Sequence, residues 1–533
     1  MIANAVLPSV IRRDLLRLAL LAGVVAVLLV LAIQQPGYTD AYYYFNAAQR
    51  LATGHGLTDS ALWTYIAAPP GSGLPIPSHL YWMPLASLVQ SASMALLGPT
   101  FRAAQIPMAL CYVGLVLFAY GIGLRLGGTR RAAWLAALLT LFSGFYMGYW
   151  TTTDTFSLYG LVGAGALACI ALARECGNLR WYAAAGALCA LAHLTRADGV
   201  LLLAVLLMIA LWPRPQSQPQ VRSQPHSRSQ FRGAGVALVA YLLVMSPWFI
   251  RNVNAVGTAL PVGGFQTAYM RAYDEIANYP PGVSFSDFVN WGAGNILRSR
   301  WDALAGELGT LWTWIAVEGM IVVLPLALVA AWKRRRDAFL APFALYAVGL
   351  HIAMTFVFAL PGPRGGLFHS AAALLPFWMA LGAVGLDDVV TWAAKRRRWP
   401  RKQALNVFSV ALVVIAAGLS GVLLLASMAR NNGGTFYREI SARLPANAVV
   451  MVNDPPAFAY LTGRSAVVLP NAGPDIIPEL MRRYGVTHII VDWNRTTPMD
   501  PLYSPSYASP IIRLIQTDRD TKDRPIYIYE VQK

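Results

Sequence analysis

Apolar runs of roughly 17–25 residues recur along most of the chain, the length that crosses a bilayer core about 30 Å thick. Short arginine and lysine clusters separate them. The first run follows Arg12, Arg13 and Arg17 and continues to Ile33. It resembles a signal peptide, but it is long, and no small-x-small cleavage site precedes Gln34-Gln35-Pro36. It reads as an uncleaved first span with its N-terminus inside. Residues 36–100 have mixed polarity with many glycines, prolines and aromatics, and form a first outside loop. The stretch 80–98 could itself span. In that case the next span would end outside at Arg125, Arg130 and Arg131, against the charge rule. A helix lying at the outer interface, with Tyr81, Trp82 and Met83 at headgroup depth, restores the parity.

Later spans then alternate, near 102–126, 131–150, 155–174, 181–195, 197–212, 233–251, 310–332, 338–360, 367–391 and 404–428. With the first they make about eleven. The short pair 181–195 and 197–212 predicts a helical hairpin with its tip, Thr195-Arg196-Ala197-Asp198-Gly199, dipping toward the outer leaflet. Residues 213–232, rich in Pro, Gln, Ser and Arg, predict a disordered cytoplasmic loop. Residues 252–309 form a second outside loop, with Trp291 and Trp301 in surface helices. After Arg430 the pattern changes. Buried strands are predicted at 448–453 and 487–492, a β-rich run at 526–530, and a helix at 476–484 stopped by Gly485. The reading is a polytopic α-helical membrane protein, with a transmembrane domain over 1–429 and an extracytoplasmic soluble α/β domain over 430–533.

Composition agrees. Hydrophobic residues make up 56% and charged residues 13% of the 533, which excludes a disordered chain or an ordinary soluble domain. The net charge of +17 raises nucleic acid as a partner. The cations, however, gather in clusters such as Lys333-Arg334-Arg335-Arg336 and Lys395-Arg396-Arg397-Arg398, which read as topology signals able to touch anionic lipid. Cys111, Cys169, Cys176 and Cys189 sit in or beside apolar runs without metal-type spacing, so neither a disulfide framework nor a zinc site is expected.

Candidate chemistry concentrates on the outer side. Asp40 directly follows the first span, where a carboxylate can accept a proton from a hydroxyl; it equally suits an N-cap for a helix starting at Ala41. Asp154 ends an outward-going span and carries the same two readings. Two carboxylates at one depth suggest a site, or a metal site if a third ligand joins. Arg196, at membrane depth, calls for a partner or a function. Phosphate fits its planar fork, and an ion pair with Asp198 is the plainer alternative. Arg251 and Arg364 are outside cations that could also simply snorkel, and His369 lies just beyond Arg364. His55, between two glycines, and His79 read as polar loop histidines more readily than as metal ligands. Trp63, Tyr65, Tyr81 and Trp82 could stack on sugar faces or form an interfacial belt.

The order of these segments resembles a known family. A first span, the Asp40-Ala41-Tyr42-Tyr43-Tyr44 helix, the Gly54-His55-Gly56-Leu57 turn and an interfacial helix come first. Asp154, the Arg196 tip, the Pro247-Trp248-Phe249-Ile250-Arg251-Asn252 segment and an outside α/β tail follow. This is similar to the GT-C fold of membrane glycosyltransferases, in particular the bacterial branch resembling protein O-mannosyltransferases and the lipid A aminoarabinose transferase. The resemblance implies sugar transfer from a polyprenyl-phosphate carrier to a protein, lipid or polysaccharide acceptor on the outer face of the cell membrane. It implies Asp40 as the catalytic acid of the first loop, Asp154 as an orienting second acid, and Arg196 and Arg251 as phosphate contacts, to which the outside cation Arg364 is added as a candidate. Tyr42, Tyr43, His55, His79, Trp82 and His369 fall where substrate would bind. Relatives often carry a Lys-Pro-Pro segment before the interfacial helix. Here the place reads Pro75-Ile76-Pro77-Ser78-His79-Leu80-Tyr81, with His79 as the substitute. No cofactor is required, and a divalent metal is compatible. A nucleic-acid partner is not expected. The competing readings are a transporter or flippase, disfavoured because no related halves and no Walker sequence occur, and a transferase moving a whole glycan.

Overall fold

The computed structural model describes residues 8–66, 68–212, 226–261, 263–305, 317–430, 436–520 and 522–532. Among them, seven helices are long and apolar enough to cross a bilayer: Pro8–Ala32, Phe101–Gly127, Phe156–Cys176, Phe231–Val256, Ala338–Val357, Gly362–Arg397 and Arg401–Ala429. The other four expected spans are shorter helices, Arg130–Leu141, Leu179–Thr195, Val200–Leu211 and Met320–Lys333. The expected run 131–150 stops early. Gly144 takes φ +61 and opens a tight turn, in which the Trp150 indole donates to the Ser143 hydroxyl at 2.7 Å. Residues 213–225 of the expected loop and 310–316 of the expected span at 310–332 lie outside the described residues. Helix backbone already begins at His226, so the loop is shorter on that side than the sequence suggests.

Small residues let the bundle close. A Cβ at Gly385 would overlap the carbonyl oxygen of Leu326, and one at Gly186 would overlap that of Ala237, so these helices cross with backbone in contact. At the end carrying the basic clusters, arginines find carboxylates on neighbouring helices. Arg130 grips buried Asp14 with two bonds of 2.6 Å, and Arg334 meets Asp388 at 3.0 Å.

The elements gathered at the opposite end matter for function. Helix α1 (Pro8–Ala32) leads into α2 (Thr39–Ala52), which lies beneath the C-terminal unit. The expected interfacial helix is α3 (Leu85–Leu97), packed on α2. The first loop also holds three two-residue strands, β1 (Thr58–Asp59), β2 (Ala61–Leu62) and β3 (Ile76–Pro77). The C-terminal unit adds β4 (Val449–Val452), β5 (Ala466–Val468), β6 (Val486–Val491), β7 (Ile512–Arg519) and β8 (Pro525–Val531). Its six-stranded sheet runs β2-β5-β4-β6-β8-β7, parallel from β2 to β6 and antiparallel beyond. The edge strand β2 thus comes from the first loop, with Ala61 opposite Ala466 and Leu62 opposite Val467. Tyr65 fastens it by donating to the Val468 carbonyl at 2.6 Å.

Candidate active site

Asp40 lies in the first turn of α2. The helix starts at Thr39, two residues earlier than expected, with Tyr38 at the cap position and no side-chain cap bond, so the Asp40 carboxylate is not used as an N-cap. Asp154 precedes the helix Phe156–Cys176. One of its oxygens accepts from the Thr155 backbone N–H at 2.5 Å and from the Thr155 hydroxyl at 3.1 Å, and the other meets His369 Nε2 at 2.7 Å. His369 Nε2 also stands 3.8 Å from Asp40 Oδ2. The two acids, 114 residues apart in sequence, therefore share one histidine.

That histidine is rigidly held. Its ring stacks on Phe156 at 4.0 Å, and Nδ1 bonds the Gly365 carbonyl at 2.6 Å. A carbonyl only accepts, so Nδ1 carries a proton. Nε2 then either carries a second proton toward the carboxylates or turns a lone pair on whatever lies between them. Asp40, Asp154 and His369 offer ligand atoms all within 4.8 Å of one another, and a histidine anchored through Nδ1–H to a carbonyl is a usual way to present Nε2 to a metal. These three residues could hold a divalent cation.

The environments of the acids differ. The Asp154 side chain is wholly buried, while that of Asp40 is 29% exposed. Loss of hydration, and then the charge of Asp154, push the Asp40 carboxyl up to about 6, against opposing pulls from His369 and Arg196. Burial also works to raise Asp154, but His369, the Thr155 N–H and Arg196 outweigh it and leave its carboxyl lowered. One acid is held ionised while the other is poised to exchange a proton near neutrality.

Arg196 caps the helix Leu179–Thr195. Its Nε donates to Asp198 and to the Ser370 hydroxyl, each at 3.1 Å, and Ser370 in turn bonds Asp198. The expected ion pair with Asp198 is therefore present. It uses only Nε: the terminal nitrogens have no hydrogen-bond partner among the described residues, and the Asp40 and Asp154 charges act on them. Arg364 is exposed and lies over the Tyr273 ring at 4.1 Å, and the charge of Asp40 also reaches that tyrosine. Arg251 is differently employed. It donates to Asn252 and to the Leu57 carbonyl, both at 3.0 Å, and rests on Trp248, bracing the Gly54–Leu57 turn.

Other sequence candidates are engaged in packing. Both ring nitrogens of fully buried His79 bond serines, Ser78 at 2.8 Å and Ser87 at 3.0 Å. Burial, and then Arg251, lower it to about 3, so it is neutral. It holds the loop through these two serines. His55 is exposed and bonds Thr53. Tyr42 packs on Tyr460 of the C-terminal unit at 5.0 Å. Tyr43 donates to Asp59 at 2.8 Å and packs on Trp82 at 4.1 Å, and the Trp82 indole is near enough to Asp40 to pull its carboxyl down slightly. Of the tyrosine triplet, sequence reasoning passed over Tyr44. It stands four residues after Asp40, on the same helix face. It is 1% exposed, its hydroxyl has no hydrogen-bond partner among the described residues, and it lies within electrostatic reach of Asp154, Arg196 and Asp40. The i+4 spacing is the signal that could have found it.

A helical bundle with paired carboxylates and an open guanidinium at one end, topped by an α/β unit, has the GT-C fold. Residues 78–251 match the family model described as dolichyl-phosphate-mannose-protein mannosyltransferase. Among solved structures, ArnT from Cupriavidus metallidurans in the apo state superposes with a TM-score of 0.55 at 14% identity, covering 96% of this chain and 97% of that one. The archaeal oligosaccharyltransferase AglB from Archaeoglobus fulgidus, in complex with an inhibitory peptide and a dolichol-phosphate, gives 0.53 at 13%, covering 93% and 74%. No curated protein sequence matches the chain.

Proposed function

We propose that the protein transfers a sugar from a polyprenyl-phosphate carrier to an acceptor hydroxyl, with inversion, on the extracytoplasmic face of the cell membrane. The N-terminus is inside and the C-terminal unit outside. The observation that carries this reading is a carboxyl raised to about 6 within electrostatic reach of a guanidinium with open nitrogens. Asp40 takes the proton as the acceptor oxygen attacks the anomeric carbon. The bond from that carbon to the phosphate oxygen breaks, and its electrons leave with the phosphate. Arg196 and the Tyr44 hydroxyl receive that charge, with Arg364 at the mouth. Asp154 and His369 orient Asp40. The carrier phosphate leaves as a stable anion, so no nucleotide is needed. The family match and the bound undecaprenyl phosphate of an ArnT structure support a lipid monophosphate donor.

The test is transfer by the purified protein from a labelled polyprenyl-phosphate hexose, in detergent without any gradient. Carrier movement without bond cleavage would replace this reading with a flippase. Tyr44→Phe is expected to lower kcat roughly 10–100-fold, somewhat less than the loss of a principal oxyanion donor. Tyr507→Phe, in the C-terminal unit where the ring packs on the sheet core, should stay within about twofold. Equal turnover of the two variants would remove Tyr44 from the mechanism.

A further inference from the structure

The C-terminal unit does more than sit above the bundle. Strand β4 passes through the helix Pro455–Thr462 to β5 on one side, and β5 passes through Ile477–Tyr484 to β6 on the other side of β4. The chain direction therefore diverges between β4 and β6, and in open parallel sheets the crevice at the carboxyl ends of such strands is where ligands bind. Asp454 follows β4 there and Asp492 follows β6. The first turn of α2 docks on the β4 side of the crevice, against Asp454 and the helix Pro455–Thr462. Asp454 Oδ2 accepts the Thr39 hydroxyl at 2.9 Å, and its other oxygen caps the helix Pro455–Thr462 through the Ala457 N–H at 3.2 Å. Asn46 donates to the Pro456 carbonyl at 2.8 Å, and Tyr42 and Phe45 each pack on Tyr460 at 5.0 Å. Thr39 is the residue next to Asp40.

We propose that the C-terminal unit is a positioning module for the catalytic helix, with Asp454 and Thr39 as the positioning residues that fix the direction of the Asp40 carboxylate. The helix docks beside the divergence point of the sheet, through the residue that follows β4. The docking bonds lie one residue from Asp40 on one side and six on the other, so a small rotation of α2 moves the carboxylate relative to His369 and Arg196. The proposal rests on Asp40 carrying the reaction.

It is tested with full-length protein in the lipid-donor transfer assay. Thr39→Val keeps the side-chain volume and removes the bond. It is expected to lower kcat about 10-fold, with KM for the donor and thermal stability nearly unchanged, since small misplacements of a reacting group cost rate rather than binding. Thr39→Ser should restore kcat. Asp454→Ala should lose kcat as Thr39→Val does, with a lower thermal stability as well because the helix cap goes with it, whereas Asp454→Asn, which can bond both Thr39 and Ala457, should approach the wild type. Asp40→Asn runs alongside. If it is inactive while Thr39→Val and Asp454→Ala keep full kcat, the positioning role is wrong and the functional reading stands. A loss in Thr39→Val that serine does not restore, or one appearing only in KM, also overturns the proposal. Turnover surviving in Asp40→Asn removes the functional reading and this proposal with it.

Discussion

Asp40→Asn is expected to lower turnover by about 10²–10⁴-fold, the range supplied by a positioned general base, while donor KM changes little. The amide keeps shape and volume but cannot take a proton. The pH profile gives the sharper reading. An ordinary aspartate has a carboxyl near 3.8, and here desolvation and the Asp154 charge lift it to about 6. A base works only when ionised, so kcat/KM should rise with pH through about 6 and flatten above it, where an unperturbed aspartate would place the limb near 4. Asp154→Asn removes the neighbouring charge that raises Asp40 and should move the limb downward. A variant Asp40→Asn that retains turnover, or a limb that stays put in Asp154→Asn, would contradict this assignment. A purely structural Asp40 at the helix start would change only stability, by less than about 1 kcal/mol.

Arg196→Lys is expected to lower kcat about 10²–10³-fold and to weaken binding of polyprenyl monophosphate alone. Lysine keeps the charge but not the fork. Here Nε is committed to Asp198 and Ser370, and the terminal nitrogens are left for an oxyanion. An ammonium cannot serve both sides. Alanine is the poorer test, because it would strand Asp198 beside Ser370 with no cation. Losing one partner of a buried pair costs about 3–5 kcal/mol and would confuse misfolding with lost chemistry. Turnover is read together with binding of the monophosphate lipid. Full turnover in Arg196→Lys would leave Arg364 as the residue to examine.

Both predictions use residues legible in the sequence because sidedness is legible. Runs of apolar residues and the placement of arginines put Asp40, Asp154 and Arg196 at one end of the bundle without any contact being known. Packing was hidden. His79 sits among glycines, prolines and serines and reads as a loop residue, yet aromatic rings and two serine hydroxyls enclose it completely. The pairing of His369 with Asp154 joins residues 215 apart, and no local pattern encodes it. In the tail, β4, β6 and β8 announced themselves as buried apolar runs. The three-residue β5 is too short to show a period, and β7, an edge strand, alternates half-buried with exposed positions after its first residue. Two-residue β2 could not be read at all, since only a partner some four hundred residues away makes it a strand.

That last pairing bears on how the chain is completed during synthesis. Ala61 and Leu62 leave the ribosome long before their partners Ala466 and Val467, so the early loop must wait, unpaired, until the tail arrives. Conversely, a tail cut free of the bundle would carry β5 as a bare flank, with its amides and carbonyls turned to solvent and ready to adopt a strand from a neighbouring molecule. Swapping in a foreign tail would therefore have to supply a matching flank as well as a matching crevice.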